Sequence, residues 1–236
     1  MSSVITARGN KAKENAIKDK LDLSKIYLRL KEGQSHKVRL LGVEDYVEYS
    51  AVGDFNLGIY NQAISGQESP LVVAFEKGGE EFSNLYTKSR YVFVFGSVET
   101  GELVAWDCSK TQAKNMISTI DEYAEDVSEI AFNFKRTGTK TDTLYSLNPI
   151  IRLKAEDKEK FEALKDLTVE DEYFESIIKP NDAKFLAKLL KEAGFDVETH
   201  LPHIDLSEDD SEDAKGEPNT GAPSVTIDIT DDDLPF

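Results

Sequence analysis

The order of elements in this sequence, three strands, a helix and two more strands, predicts a mainly β protein with α, organised as a five-stranded OB-fold barrel. Two further observations agree with it: a first strand bent at a glycine, which a small closed barrel needs, and a surplus of aromatics within the strands. The predicted architecture adds a long insertion after the first strand, a C-terminal helical appendage and a disordered acidic tail. The expected boundaries are 1–22 for a basic N-terminal arm, 23–155 for the barrel, 156–203 for the helical appendage and 204–236 for the tail.

The elements come from periodicity. In Ser35 to Val43, Lys37 and Arg39 alternate with Val38 and Leu40, the period-2 signature of a half-buried strand. The alternation continues through Tyr46-Val47-Glu48-Tyr49, with Gly42 as the bend. Residues 50–90 are broken by Gly53, Gly58, Gly66, Gly78 and Gly79 into short apolar pieces such as Leu71 to Phe75, and read as the insertion. Tyr91 to Phe95 is the second strand and Leu103 to Cys108 the third. Ser109 is a good N-cap, and Ala113, Met116, Ile117, Ile120 and Tyr123 keep helical spacing behind it. Ile130 to Arg136 and Thr141 to Leu147 are the last two strands. Beyond them the period becomes helical, with Phe161 and Leu164, then Tyr173, Phe174 and Ile177, then Phe185, Leu186, Leu189 and Leu190 before Gly194.

Composition narrows the functional classes. The chain has 236 residues and a formal net charge of −17. The tail from Ile204 onward holds eleven acidic residues and one lysine, about −10, so the remainder is near −7. An acidic total leaves room for a nucleic-acid surface, because such binding depends on local clusters of cations. One cysteine, Cys108, excludes an internal disulfide and a cysteine-based zinc site. Three scattered histidines suggest no metal centre, and no cofactor is expected. No apolar run approaches the ~20 residues of a bilayer span, and the N-terminus lacks a signal peptide's apolar centre, so an intracellular, soluble protein without membrane contact is expected. No nucleophile arrangement, phosphate loop or paired aspartate motif stands out, and an enzyme is not expected.

A binding function has positive content. Cations group as Lys37 and Arg39, then Lys88 and Arg90, then Lys135, Arg136 and Lys140. Rings stand beside each group, among them Tyr86, Tyr91, Phe93, Trp106 and Tyr145. Single-stranded DNA asks for this combination, cations along the phosphates and exposed rings stacking on bases at roughly 1–3 kcal/mol each. Any one of the rings serves equally well as barrel core, and any one cation as a solubilising charge.

The stretch Tyr86 to Val94, and the basic-Gly-Thr turn Phe134 to Thr139 leading through Lys140 into Asp142-Thr143-Leu144-Tyr145, resemble the single-stranded DNA-binding (helix-destabilising) proteins of tailed bacteriophages. The resemblance spans roughly residues 23–155. It implies sequence-independent protection of single strands during phage DNA replication, recombination and repair in the bacterial cytoplasm. It also implies a DNA face built from Tyr86, Lys88, Arg90, Tyr91, Arg136, Lys140 and Tyr145, with a basic N-terminal arm for cooperative self-association. Some members of that family hold zinc through His and Cys; those ligands are missing here, and no metal is implied. The last six residues, Asp231-Asp232-Asp233-Leu234-Pro235-Phe236, are similar to the end of bacterial single-stranded DNA-binding proteins. That likeness implies a tip that recruits replication and repair proteins, with Leu234 and Phe236 as anchors beside Pro235 and the aspartates as steering charges. The alternative reading is an acidic DNA mimic or adaptor that binds host enzymes and never touches DNA.

Overall fold

A computed structural model describes residues 8, 22–54, 56–63, 69–127, 129–139 and 142–206. Among these residues seven strands form one antiparallel sheet: β1 (Ser35–Arg39), β2 (Tyr46–Asp54), β3 (Ile59–Ala63), β4 (Thr87–Ser97), β5 (Leu103–Ser109), β6 (Ala131–Thr137) and β7 (Leu144–Pro149). The helices are α1 (Leu23–Ile26), α2 (Pro70–Lys77), α3 (Lys110–Glu122), α4 (Ala155–Ala163), α5 (Asp171–Ile177), α6 (Ala183–Glu192) and α7 (Val197–His200). Among the described residues no helix is long and apolar enough to cross a membrane.

β4 is the central strand. It pairs with β5 along one edge, and with β2 (over 87–93) and β1 (over 96–97) along the other. β1 continues to β6 and then β7. The expected single bent strand is therefore two, β1 and β2, separated by residues 40–45. Asp45 folds back over Gly42 in that bend: a Cβ on Gly42 would lie 3.0 Å from its Oδ2. The insertion supplies a further strand and a helix that periodicity alone did not assign. Gly58, at φ +63°, turns the chain into β3 beside β2, and Leu71 to Phe75 belong to helix α2, started by the Ser69 side chain and by Pro70 in its first turn.

Alternation sorts the β4 side chains. Phe93 and Phe95 point inward with Trp106, Phe132, Phe134, Val38 and Leu40, and α3 closes the end of this core with Ala113, Met116 and Ile120. A reciprocal capping box between Ser109 and Gln112 starts α3 directly after β5. Val92 and Val94 point outward, where Phe174 and Ile177 of α5 cover them together with Ala105. α4 covers a second outward patch, with Phe161 and Leu164 against Val98 and Ala131. α6 and α7 join α2 in a separate apolar cluster around Leu71, Phe82, Leu186 and Leu190, packed on Val52 and Ile59.

The sheet does not close, which corrects the expected closed barrel. A five-stranded barrel would pair β5 with β7. Here Leu28 N–H donates to the Ala105 carbonyl at 2.8 Å, so the N-terminal segment occupies that edge of β5. β5 and β7 meet through rings, Trp106 and Tyr145 lying 4.8 Å apart.

Candidate nucleic-acid interface

The outward face of the β2–β3–β4 corner carries an open strip of rings. Tyr60, Phe75 and Tyr86 are 38 %, 40 % and 39 % exposed, and among the described residues they are the aromatics in the set of exposed large hydrophobic side chains. Tyr60 stands on β3 directly opposite Gly53 of β2. A Cβ on Gly53 would lie 2.8 Å from Cδ2 of Tyr60, so the missing side chain lets the ring lie down on the backbone. Lys88 on β4 reaches over from the next strand: its Nζ donates to the Gly53 carbonyl at 3.5 Å and sits 4.2 Å from the centre of the Tyr86 ring. Tyr86 then meets Phe75 of α2, ring centres 6.3 Å apart. The order across the surface is Tyr60, Gly53, Lys88, Tyr86, Phe75. Partial burial lowers the Lys88 pKa and Asp54 acts the other way.

Beneath Tyr60 runs a polar row across four strands. Arg90 of β4 donates through Nε (2.8 Å) and Nη2 (2.5 Å) to Oδ1 of Asp107 on β5, with both side chains under a tenth exposed. Tyr49 of β2 donates to Oδ2 of Asp107 at 2.5 Å. The Tyr49 and Tyr60 oxygens are 2.8 Å apart. Since the carboxylate takes the Tyr49 proton, Tyr60 is the donor in that last bond. Burial first, and Asp107 second, push the Tyr60 phenol up to about 12 and raise Tyr49 well above its ordinary value. Both hydroxyls therefore stay protonated at neutral pH, as the row requires.

The other expected contacts fall elsewhere. Lys37 is held by Asp157 of α4 at 2.8 Å, and that hydrogen bond raises its pKa. Arg39, 3 % exposed, donates to the Phe161 carbonyl at 2.7 Å with its guanidinium 4.1 Å from that ring's centre. Arg90 is taken by Asp107. Phe93 and Trp106 are 1 % and 2 % exposed and offer no ring face to a base. Arg39, Arg90, Phe93 and Trp106 are thus corrected from ligand contacts to framework, because each lies under a helix, in a buried ion pair or inside the core. Tyr91 donates to Glu48 at 2.7 Å. Tyr145 stacks on Phe134 with ring centres 5.4 Å apart, and Arg136 bonds the Leu30 carbonyl at 3.0 Å. Lys135 is half-exposed on the outward face of β6, diagonal to Lys37. Lys140 and the hexapeptide Asp231–Phe236 lie outside the described residues.

The structure does not unite the three cation clusters. The partner of Arg39 across the β1–β4 ladder is Gly96, eight residues along β4 from Lys88, a separation of roughly 26 Å at about 3.3 Å per residue. Tyr86 and Lys88 are brought together with Tyr60 and Phe75, which sequence reasoning missed. Tyr60 had a signal, since Ile59-Tyr60-Asn61 after the Gly58 turn alternates inward and outward. Phe75 had none, because its exposure depends on which face of α2 packs on α6.

Among the described residues no group of three or more His, Cys, Asp or Glu could hold a metal ion. The sequence matches no protein-family model and no curated protein. Function is therefore read from the geometry of the strip.

Proposed function

We propose that this protein binds single-stranded DNA without sequence preference, through the strip of Tyr60, Phe75 and Tyr86 with Lys88 among them. The observation that carries the reading is that, among the described residues, the exposed aromatics form one row interrupted by a cation. Rings of this kind stack on unpaired bases whatever their identity, while an ammonium between them meets a phosphate. Paired bases present no face to such a strip, which favours single strands over duplex.

The finer fold belongs to the same reading. β1 with β2, then β4, β5, α3, β6 and β7 keep the strand order of an OB fold, with β3 and α2 inserted and the barrel left open along one seam. Protection of single strands during phage replication, recombination and repair in a bacterial cytoplasm, self-association on DNA, and a non-catalytic role are the parts of the proposal taken from the family resemblance. The tail adds two more. Its acidic residues compete with DNA for the cations, and Asp231 to Phe236 recruit replication or repair proteins.

A gel shift with an oligo(dT) of ~30 nucleotides, against duplex and RNA competitors, tests the central claim. Binding that weakens with salt and is lost when Tyr60, Phe75 and Tyr86 are all changed to Ala supports it. Absence of binding even at low salt overturns it and favours the acidic-mimic alternative. Deleting residues 205–236 is expected to tighten binding, most at low ionic strength; an unchanged affinity removes the competing role of the tail.

A further inference from the structure

We infer that Tyr49 and Asp107, which lie beneath the proposed ligand surface, are positioning residues that set the angle of the Tyr60 ring for stacking. This rests on the strip being a base-stacking surface and extends that reading to the row beneath. Tyr60 is fixed by its two ends. Its ring lies against Gly53, where a Cβ would come within 2.8 Å of it. Its hydroxyl donates to Tyr49, Tyr49 donates to Oδ2 of Asp107, and Arg90, on the strand between them, holds Oδ1. Tyr60 on β3 donates to Tyr49 on β2, and Tyr49 reaches across β4 to Asp107 on β5, a carboxylate whose second oxygen is taken by the Arg90 guanidinium. A phenol at the rim of the sheet is thereby tied to β5, the strand furthest from it in this half of the sheet.

The consequence is that stacking on Tyr60 needs no ordering of the side chain when the ligand arrives. An exposed tyrosine free to rotate loses that freedom on binding, and a fixed one has already done so. The polar row sorts its members by role. Tyr60 presents the ring, Tyr49 relays the anchoring bond, Asp107 terminates it, and Arg90 holds Asp107 in place.

The test uses the full chain and oligo(dT). Tyr60→Phe and Tyr49→Phe each keep a ring; the first removes the Tyr60–Tyr49 bond alone, the second that bond and the one from Tyr49 to Asp107. Each is expected to weaken binding about five- to tenfold, the worth of one hydrogen bond, and the double variant no further than either single one. In the DNA-free protein, NMR ring-flip rates of Tyr60 should rise in Tyr49→Phe, an effect that a general loss of stability at β2 would not confine to that ring. If Tyr60→Ala weakens binding while both phenylalanine variants bind as the wild type does, the positioning role is overturned and the stacking surface stands. If Tyr60→Ala binds as the wild type does, or the wild type does not bind, the stacking surface falls and the inference falls with it. Additive losses in the double variant would also sink it, since independent bonds do not form a relay.

Discussion

Two regions of the same outward sheet face carry the same sequence pattern and have opposite fates. At β1, Lys37 and Arg39 take alternate positions on the outward face, and at the start of β4, Lys88 and Arg90 do likewise. The β1 cations lie under α4, where Asp157 and the carbonyl and ring of Phe161 take them. At β4, Arg90 is taken by Asp107 of the neighbouring strand, yet Lys88 remains beside exposed rings. Elements added later in the chain make the difference. A helix after β7 returns to cover β1, and the α2 insertion borders the β4 corner without covering it. A cation on a strand is therefore available to a ligand only where no other element is laid over it.

The contrast can be broken most sharply at Arg90. Changing it to Ala leaves Asp107 buried without its counter-charge and is expected to cost about 3–5 kcal/mol of folding stability, read as a lower urea midpoint. A variant that keeps wild-type stability and loses only DNA affinity would make Arg90 a ligand contact after all. Next in size is the open strip. Tyr86→Ala and Phe75→Ala should each lose about 1–3 kcal/mol of oligo(dT) binding while unfolding within about 0.5 kcal/mol of the wild type, as surface changes do. Equal losses of stability and affinity would place these rings in the framework.

A third expectation concerns pH. Burial pushes the Cys108 thiol up, and the Tyr49 and Tyr60 phenols are raised as well. The unfolded chain releases the thiol proton near about 8.5 and the phenol protons near about 10. It then binds fewer protons than the folded protein, so stability should fall as pH rises above about 8.5, by up to about 1.4 kcal/mol per unit for each group engaged. Urea titrations between about pH 7 and 10.5 span both of these ranges, and a flat profile would mean that these groups are hydrated in the fold. The smallest effect belongs to Lys37→Ala. Its partly exposed pair with Asp157 is worth under about 1 kcal/mol, and oligo(dT) affinity should not change; a clear loss of binding would return β1 to the interface.

β4 to β7 and α3 were legible because each carries its own period and its own boundary, Ser109 most plainly. Inward and outward sets were legible too, but their functional meaning was not. Phe93 and Trp106 read equally well as stacking rings or core, since one strand's alternation does not say which side will be solvent. Arg39 looked like an available cation because nothing local announces that Phe161, more than a hundred residues later, will lie on it. Lys88 and Tyr86 were found as neighbours in sequence. Tyr60 and Phe75 reach them only through the β2–β3 hairpin and the packing of α2, relations between elements that periodicity does not encode. The open seam was hidden for the same reason, since Leu28 carries no signal that it will pair with Ala105.

That seam has a consequence in time. The segment Tyr27 to Leu30 is made well before β5, yet its Leu28 N–H waits for the Ala105 carbonyl, and Leu30 packs in a core completed only by β6 and β7. β4, by contrast, is laddered along both edges. Amide hydrogen exchange should rank them accordingly, with Leu28 among the first to trade its proton and Val92 to Phe95 among the last. The protein would then breathe along one line, between the strand that carries Trp106 and the strand that carries Tyr145.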